Sequence, residues 1–106
     1  TEAAMTDPDI RDNTEARRYE LDVDGLTATV AYNLTGPHLM ITETLVPTAL
    51  EGRGIASRMA RHVIDDARAR NLVILPVCTF FGHFFQKHPD QAGVVHPDYR
   101  KALGLA

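Results

Sequence analysis

Between Thr42 and Arg61 the chain reads Thr-Glu-Thr-Leu-Val-Pro-Thr-Ala-Leu-Glu-Gly-Arg-Gly-Ile-Ala-Ser-Arg-Met-Ala-Arg. This is a β-rich run stopped at Pro47, a short turn holding Gly52 and Gly54, and the start of an amphipathic helix. The first turn of a helix leaves backbone N–H groups without intrahelical partners and concentrates about half a positive charge there. Glycine has no Cβ, so a ligand can approach the backbone closely at Gly52 and Gly54. Strand, glycine turn and helix start in this order suit a phosphate-bearing ligand. The spacing narrows the choice. The pattern G-x-x-x-x-G-K-[ST] is absent, and G-x-G-x-x-G begins at Gly52 but fails at Ser57. Taken alone, the two glycines read equally well as an ordinary turn ahead of a helix.

The elements that must position this turn follow from hydrophobic periodicity. Residues 1–17 show no apolar period and contain Asp7-Pro8-Asp9, which predicts a loose arm. Tyr19, Leu21 and Val23 alternate with charged residues as in a half-buried strand. Asp24-Gly25 is a two-residue hairpin signal, and Thr27 to Leu34 supplies the returning strand. After Thr35-Gly36-Pro37, a third strand is expected over His38 to Val46, ended by Pro47. Ile55, Ala56, Met59, Ala60, Val63, Ile64 and Ala67 then recur at helical spacing from Gly54 to Asn71, leaving Arg58, Arg61, His62 and Asp65 on the wet side. Leu72 to Val77 is a continuous apolar run, expected as a covered strand. Phe80, Phe81, Phe84 and Phe85 form the stripe of a short helix that ends before Pro89, and one further turn is expected near Tyr99 to Leu103. The fold class is α+β: a mainly antiparallel sheet with one long and one short helix, as a single domain over residues 18–106.

Composition excludes several classes. At 106 residues, 44% apolar and 24% charged, the chain is of one-domain size and ordinary globular character. No apolar run reaches membrane-spanning length and no signal peptide is read at its start, so no membrane partner is expected. A single cysteine, Cys78, leaves no internal disulfide to form, and a cytoplasmic setting is expected. The first 24 residues hold eight acids against three arginines, and the rest is mildly basic, which suits a polyanionic cofactor or is simple solvation. With a net charge of −3 and no basic stripe, nucleic acid is not expected as a partner. No metal site is expected: His83 and His88 are five positions apart rather than four, and no H-E-x-x-H occurs.

The order strand–strand–strand–helix–strand–helix, with Val46-Pro47, Gly52 to Ala56, Ala67-Arg68-Ala69-Arg70-Asn71-Leu72, Pro76-Val77-Cys78-Thr79 and His88-Pro89 in sequence, resembles the short, single-domain members of the GNAT superfamily of N-acetyltransferases. The resemblance covers about residues 18–90. It implies the GNAT fold, with central strands that splay apart, and transfer of an acetyl group from acetyl-coenzyme A to an amine. On this resemblance the acceptor would be a protein lysine, a chain terminus or a small amine. The glycine turn would hold the cofactor pyrophosphate. Glu51 stands where the family usually has Arg or Gln, and is expected to turn to solvent. Pro76 fits a splaying strand, and an edge strand equally well.

Further roles rest on the same resemblance. A backbone N–H near Leu45 or Val46 would meet the thioester oxygen as it gains charge. The cofactor-binding set is Leu45, Val46, Gly52, Arg53, Gly54, Ile55, Ala56, Ser57, Arg58, Cys78 and Lys87, with Arg53 and Arg58 set against phosphates and Lys87 against the adenosine 3′-phosphate. The catalytic candidates are Cys78, Glu43 and His88. Cys78 could take the acetyl group or protonate the leaving thiolate; a lone cysteine is otherwise core filler. Glu43 matches a glutamate base of some family members, while a strand glutamate more often faces solvent. His88 closes the aromatic helix, where its imidazole also suits the helix C-terminus. The tyrosine acid common on that helix is missing. Larger members insert two helices where Asp24-Gly25 alone joins the first strands, so the acceptor side is expected to be open. An open site also fits a coenzyme A-binding module with little turnover. The protein is expected to be a monomer or weak dimer.

Overall fold

The computed structural model describes residues 7–105. Five strands form one sheet in the order β1-β2-β3-β4-β5: β1 Arg11–Asn13, β2 Arg18–Val23, β3 Leu26–Thr35, β4 His38–Leu45 and β5 Val73–Pro76. The first four pair antiparallel and β5 joins β4 in parallel. The helices are α1 Ile55–Ala69, α2 Thr79–Lys87 and α3 Pro97–Ala102, with 3-10 turns at Thr48–Leu50 and Pro89–Val94. The Asp24-Gly25 hairpin forms as expected, both residues at positive φ (52° and 78°) and Val23 paired with Leu26.

Alternation in β2 to β5 sends Tyr19, Leu21, Ala28, Val30, Leu39, Ile41 and Ile74 to one face, each 1% exposed or less. Against it lie Met59, Ala60, Val63 and Ile64 of α1 and Phe81 and Phe85 of α2. At about 25 cal/mol per Å2 of apolar surface buried, this shared core is the main source of the fold's stability. Asn71 (φ 57°) ends α1, and the Leu72 N–H closes the turn on the Ala67 carbonyl at 2.8 Å.

The segment before β2 departs from the expected loose arm over its described part, residues 7–17. Arg11, Asp12 and Asn13 pair with Glu20, Tyr19 and Arg18, and Ile10 is buried. Asp7 and Asp9 both take the Arg58 guanidinium, and the Asp7 N–H donates to Nδ1 of His62 at 2.9 Å. His62 is therefore buried rather than on the wet side of α1. A three-residue strand carries too little alternation to be read from sequence, and its stability comes from β2 and α1. Residues 1–6 of the predicted arm lie outside the described residues.

Two irregularities shape the open end of the sheet. Ala31 pairs with Glu43 but Tyr32 pairs with Ile41, so Thr42 is an extra residue in β4. Its hydroxyl donates to the Ala31 carbonyl at 3.2 Å. An extra residue reverses which side of the strand the following side chains take. The β4–β5 ladder ends at Ile41 opposite Pro76, with the Cys78 N–H donating to the Ile41 carbonyl at 2.9 Å. Pro76 sits at the last rung, where its missing N–H costs no ladder bond. Beyond that rung β4 continues to Leu45 while the segment after β5 turns into α2, so the two strands part. No helix among the described residues is long and apolar enough to cross a membrane.

Candidate functional site

Where β4 and β5 part, a cleft of about 470 Å3 opens between the end of β4 and the start of α1. Leu45, Val46, Gly52, Gly54, Ile55, Ala56 and Ser57 of the expected cofactor set line it, with Thr44, Leu50, Glu51 and Phe80. Gly52 and Gly54 hold φ of 80° and 73°, a conformation that disfavours any side chain. A Cβ built on either would meet nothing within 4 Å, so it is the backbone conformation, not crowding, that calls for glycine.

The turn leaves its amides unbonded. Glu51 N–H closes the 3-10 turn on Thr48 at 3.1 Å, and the next backbone bond of the segment is Arg58 N–H to the Gly54 carbonyl at 3.0 Å. The N–H groups of Gly52 to Ser57 between them have no acceptor among the described residues. They sit at the positive end of a helix of 15 residues. Such a group of exposed donors can take an anion with several oxygens without help from a basic side chain.

A second cleft of about 500 Å3 adjoins the first through Ser57 and Phe80, and carries Lys87, His83 and His88 at its far end. The two form one groove from the parted strands, past the α1 amides, to a lysine. Among the described residues no group of three or more His, Cys, Asp or Glu is gathered as a metal would require.

Several expected residues are placed elsewhere. Arg58 leaves the cleft because Asp7 and Asp9 hold its guanidinium, which raises its already high pKa, the Asp7 hydrogen bond first. Arg53 pairs with Asp24 at 2.8 Å and does not line the groove. Glu51 is exposed, in keeping with the expected turn to solvent, and its residue lines the cleft. Glu43 is exposed and lines neither part of the groove, because the extra residue at Thr42 gives the inward position to Thr44 instead.

The catalytic candidates are thus not brought together. Cys78 is 9% exposed at the head of α2, and its Sγ lies 3.3 Å from the Thr44 hydroxyl, which lines the cleft. His88 lies at the other end of α2, about 15 Å away at the helical rise per residue, packed on the Phe84 ring at 4.5 Å between centroids. Thr44 is the residue that sequence reasoning missed. Its signal was the bulge, which arises from pairing with β3 and leaves no local mark.

Residues 18–94 match the profile of the family described as GCN5-related N-acetyl-transferase. No curated protein matches the chain. The matched span covers well over half of the chain and takes in the bulged strand, the glycine turn and both helices of the groove, and on that ground the chain belongs to the GCN5-related N-acetyltransferase family, whose chemistry is acyl transfer.

Proposed function

We propose that the protein is an acetyl-coenzyme A-dependent N-acetyltransferase with an open acceptor side. The observation that carries this reading is the run of unbonded N–H groups from Gly52 to Ser57, all but one of whose residues line the groove. The residues fit the cofactor's chemistry. The amides suit a pyrophosphate, Lys87 suits a terminal phosphate, and the apolar Leu45, Val46 and Phe80 suit a flexible arm leading to the parted strands. The cofactor, when bound, supplies an activated acetyl thioester.

Around it, the chain's own groups have separate work. A backbone N–H at the end of β4, near Leu45 or Val46, would donate to an oxygen that gains charge. Thr44 and Cys78 are the polar side chains at the point where the strands part, so they are the pair to hold or move a proton there. Cys78 would either protonate the departing thiolate or, as a thiolate, take the acetyl group. In the second route its S–C bond forms as the donor thioester's S–C bond breaks and the donor thiolate leaves, and an amine then attacks the acyl carbon and releases the Cys78 thiolate. Glu43 and His88 are not proposed for these steps, given their positions.

The rival reading, a coenzyme A-binding module with little turnover, is favoured by one observation: no carboxylate or imidazole other than the Glu51 carboxylate lines the first cleft. One measurement tests both readings together and a second separates them. A ligand at 100 times its Kd adds about 2.7 kcal/mol to stability, so saturating coenzyme A should raise the melting temperature under both. Mass spectrometry of an added amine after incubation with acetyl-coenzyme A should find acetylated product under the first alone. No thermal shift would remove both.

A further inference from the structure

The sheet face opposite α1 and α2 carries its own cleft, about 660 Å3, which shares Leu45 and Val46 with the cofactor cleft. The end of β4 is therefore the wall between two cavities opening on opposite faces. Strand register runs straight across this second cleft: Arg11 pairs with Glu20, Glu20 with Thr29, and Thr29 with Leu45. Two strand spacings, roughly 10 Å, thus separate Glu20 from the shared wall.

Glu20 is the anchor of the far end. Its side chain is 4% exposed, and three donors hold it: Arg11 Nε at 2.7 Å, Asn13 Nδ2 at 3.2 Å and Arg18 Nε. The Arg18 guanidinium, then Asn13 and Arg11, keep this carboxylate ionised by lowering its pKa, against its burial. Three of its roughly four acceptor sites are taken, and Glu20 serves as a positioning residue. Arg11 is likewise consumed, its remaining nitrogens going to Asp22.

Arg18 differs. Only its Nε is engaged, and Nη1 and Nη2 make no hydrogen bond among the described residues. Its side chain is 46% exposed and lines the cleft. A guanidinium fixed at Nε offers its other edge as a planar fork for two oxygens. Glu20 and Asp22 stand close by, so a dianion such as a phosphate monoester would meet like charge. A carboxylate meets less.

We infer that this second cleft is the acceptor site and that it selects a primary amine bearing a carboxylate roughly 10 Å away, the carboxylate on Arg18 and the amine at Leu45 and Val46. The inference rests on the acetyltransferase reading for the amine's fate, but not for its binding.

The test follows the Arg18 Nε–H and the Thr27 and Thr29 amides by NMR, with and without coenzyme A, during titration with ω-aminooctanoate or its carboxamide, ω-aminooctanamide. Saturating shifts at these resonances, with the acid binding about tenfold tighter, or 1.4 kcal/mol, support the site. Equal shifts with the two amines, or none, overturn it. Arg18→Lys should fold, since its single ammonium still meets Glu20, yet it offers no fork and should lose the preference; a retained preference also overturns the assignment. Acetylated product by mass spectrometry is read separately. Selective shifts without product would keep the site and sink the transferase reading instead.

Discussion

The hydroxyl of Thr44 stands 3.3 Å from the sulfur of Cys78, across the point where β4 and β5 separate. Thr44 lines the cleft beside α1 and Cys78 is buried behind it. Replacing Cys78 by Ala should cut amine acetylation by about 100-fold or more if the thiol moves a proton or the acyl group, while the thermal shift with coenzyme A persists. An acetyl adduct on Cys78 in the wild type would point to the covalent route. Undiminished transfer in Cys78→Ala would remove the thiol from the chemistry and leave the groove untouched.

Gly54 begins α1 at φ 73°. Gly54→Ala puts a Cβ into a left-handed conformation at about 1–2 kcal/mol, so the melting temperature should drop by about 4–8 °C per kcal/mol for a domain of this size. The methyl would also enter open space at a residue that lines the cleft. Calorimetric titration should show coenzyme A binding at least about tenfold weaker. Unchanged affinity would mean the anion lies elsewhere.

Lys87 occupies the far end of the groove. If it meets the 3′-phosphate, the wild type should prefer coenzyme A to dephospho-coenzyme A by about 1.5–3 kcal/mol, the worth of a hydrogen bond to a charged group. In Lys87→Ala the two ligands should bind alike.

His62 has its pKa lowered from 6.5 by burial, against the opposing pull of Asp66, Asp7 and Asp65. A group depressed in the folded state binds fewer protons there than in the unfolded chain, so stability should fall as pH drops below about 6.5. Protonation would also displace the Asp7 N–H from Nδ1. Urea midpoints taken from about pH 7.5 to about pH 5.5 should show this slope, and His62→Gln should flatten it. Asp7, lowered by its Arg58 hydrogen bond, adds a second loss at more acid pH, below its ordinary 3.8, as that ion pair is protonated.

Tyr19 is fully buried and donates to Asp66 Oδ2 at 2.7 Å. Burial, then this carboxylate, push its hydroxyl pKa well above the ordinary value, so it stays a donor at all accessible pH. Tyr19→Phe removes the donor but keeps the ring, and should cost about 1.5–3 kcal/mol in denaturant unfolding. No loss would mean Asp66 is satisfied by Arg70, 2.9 Å away.

Much of the fold is legible along the chain because it is fixed locally. Alternation set β2 to β4, three- and four-residue spacing set α1 and α2, and Asp24-Gly25 could close a hairpin in one way. The glycine turn was legible for the same reason: a positive φ at Gly52 and Gly54 is a property of those residues. What tertiary structure decided is where long side chains end. Arg58 reads as a phosphate ligand until Asp7 and Asp9, about fifty positions earlier, are packed beside it. The face taken by Glu43 is open, solvent or site, until pairing with β3 inserts Thr42 and turns Thr44 inward. The cleft behind Leu45 exists only once Arg11, Glu20 and Thr29 stand in one row. Backbone conformation depends on a residue and its neighbours, whereas the partner of a charge depends on every element that folds against it.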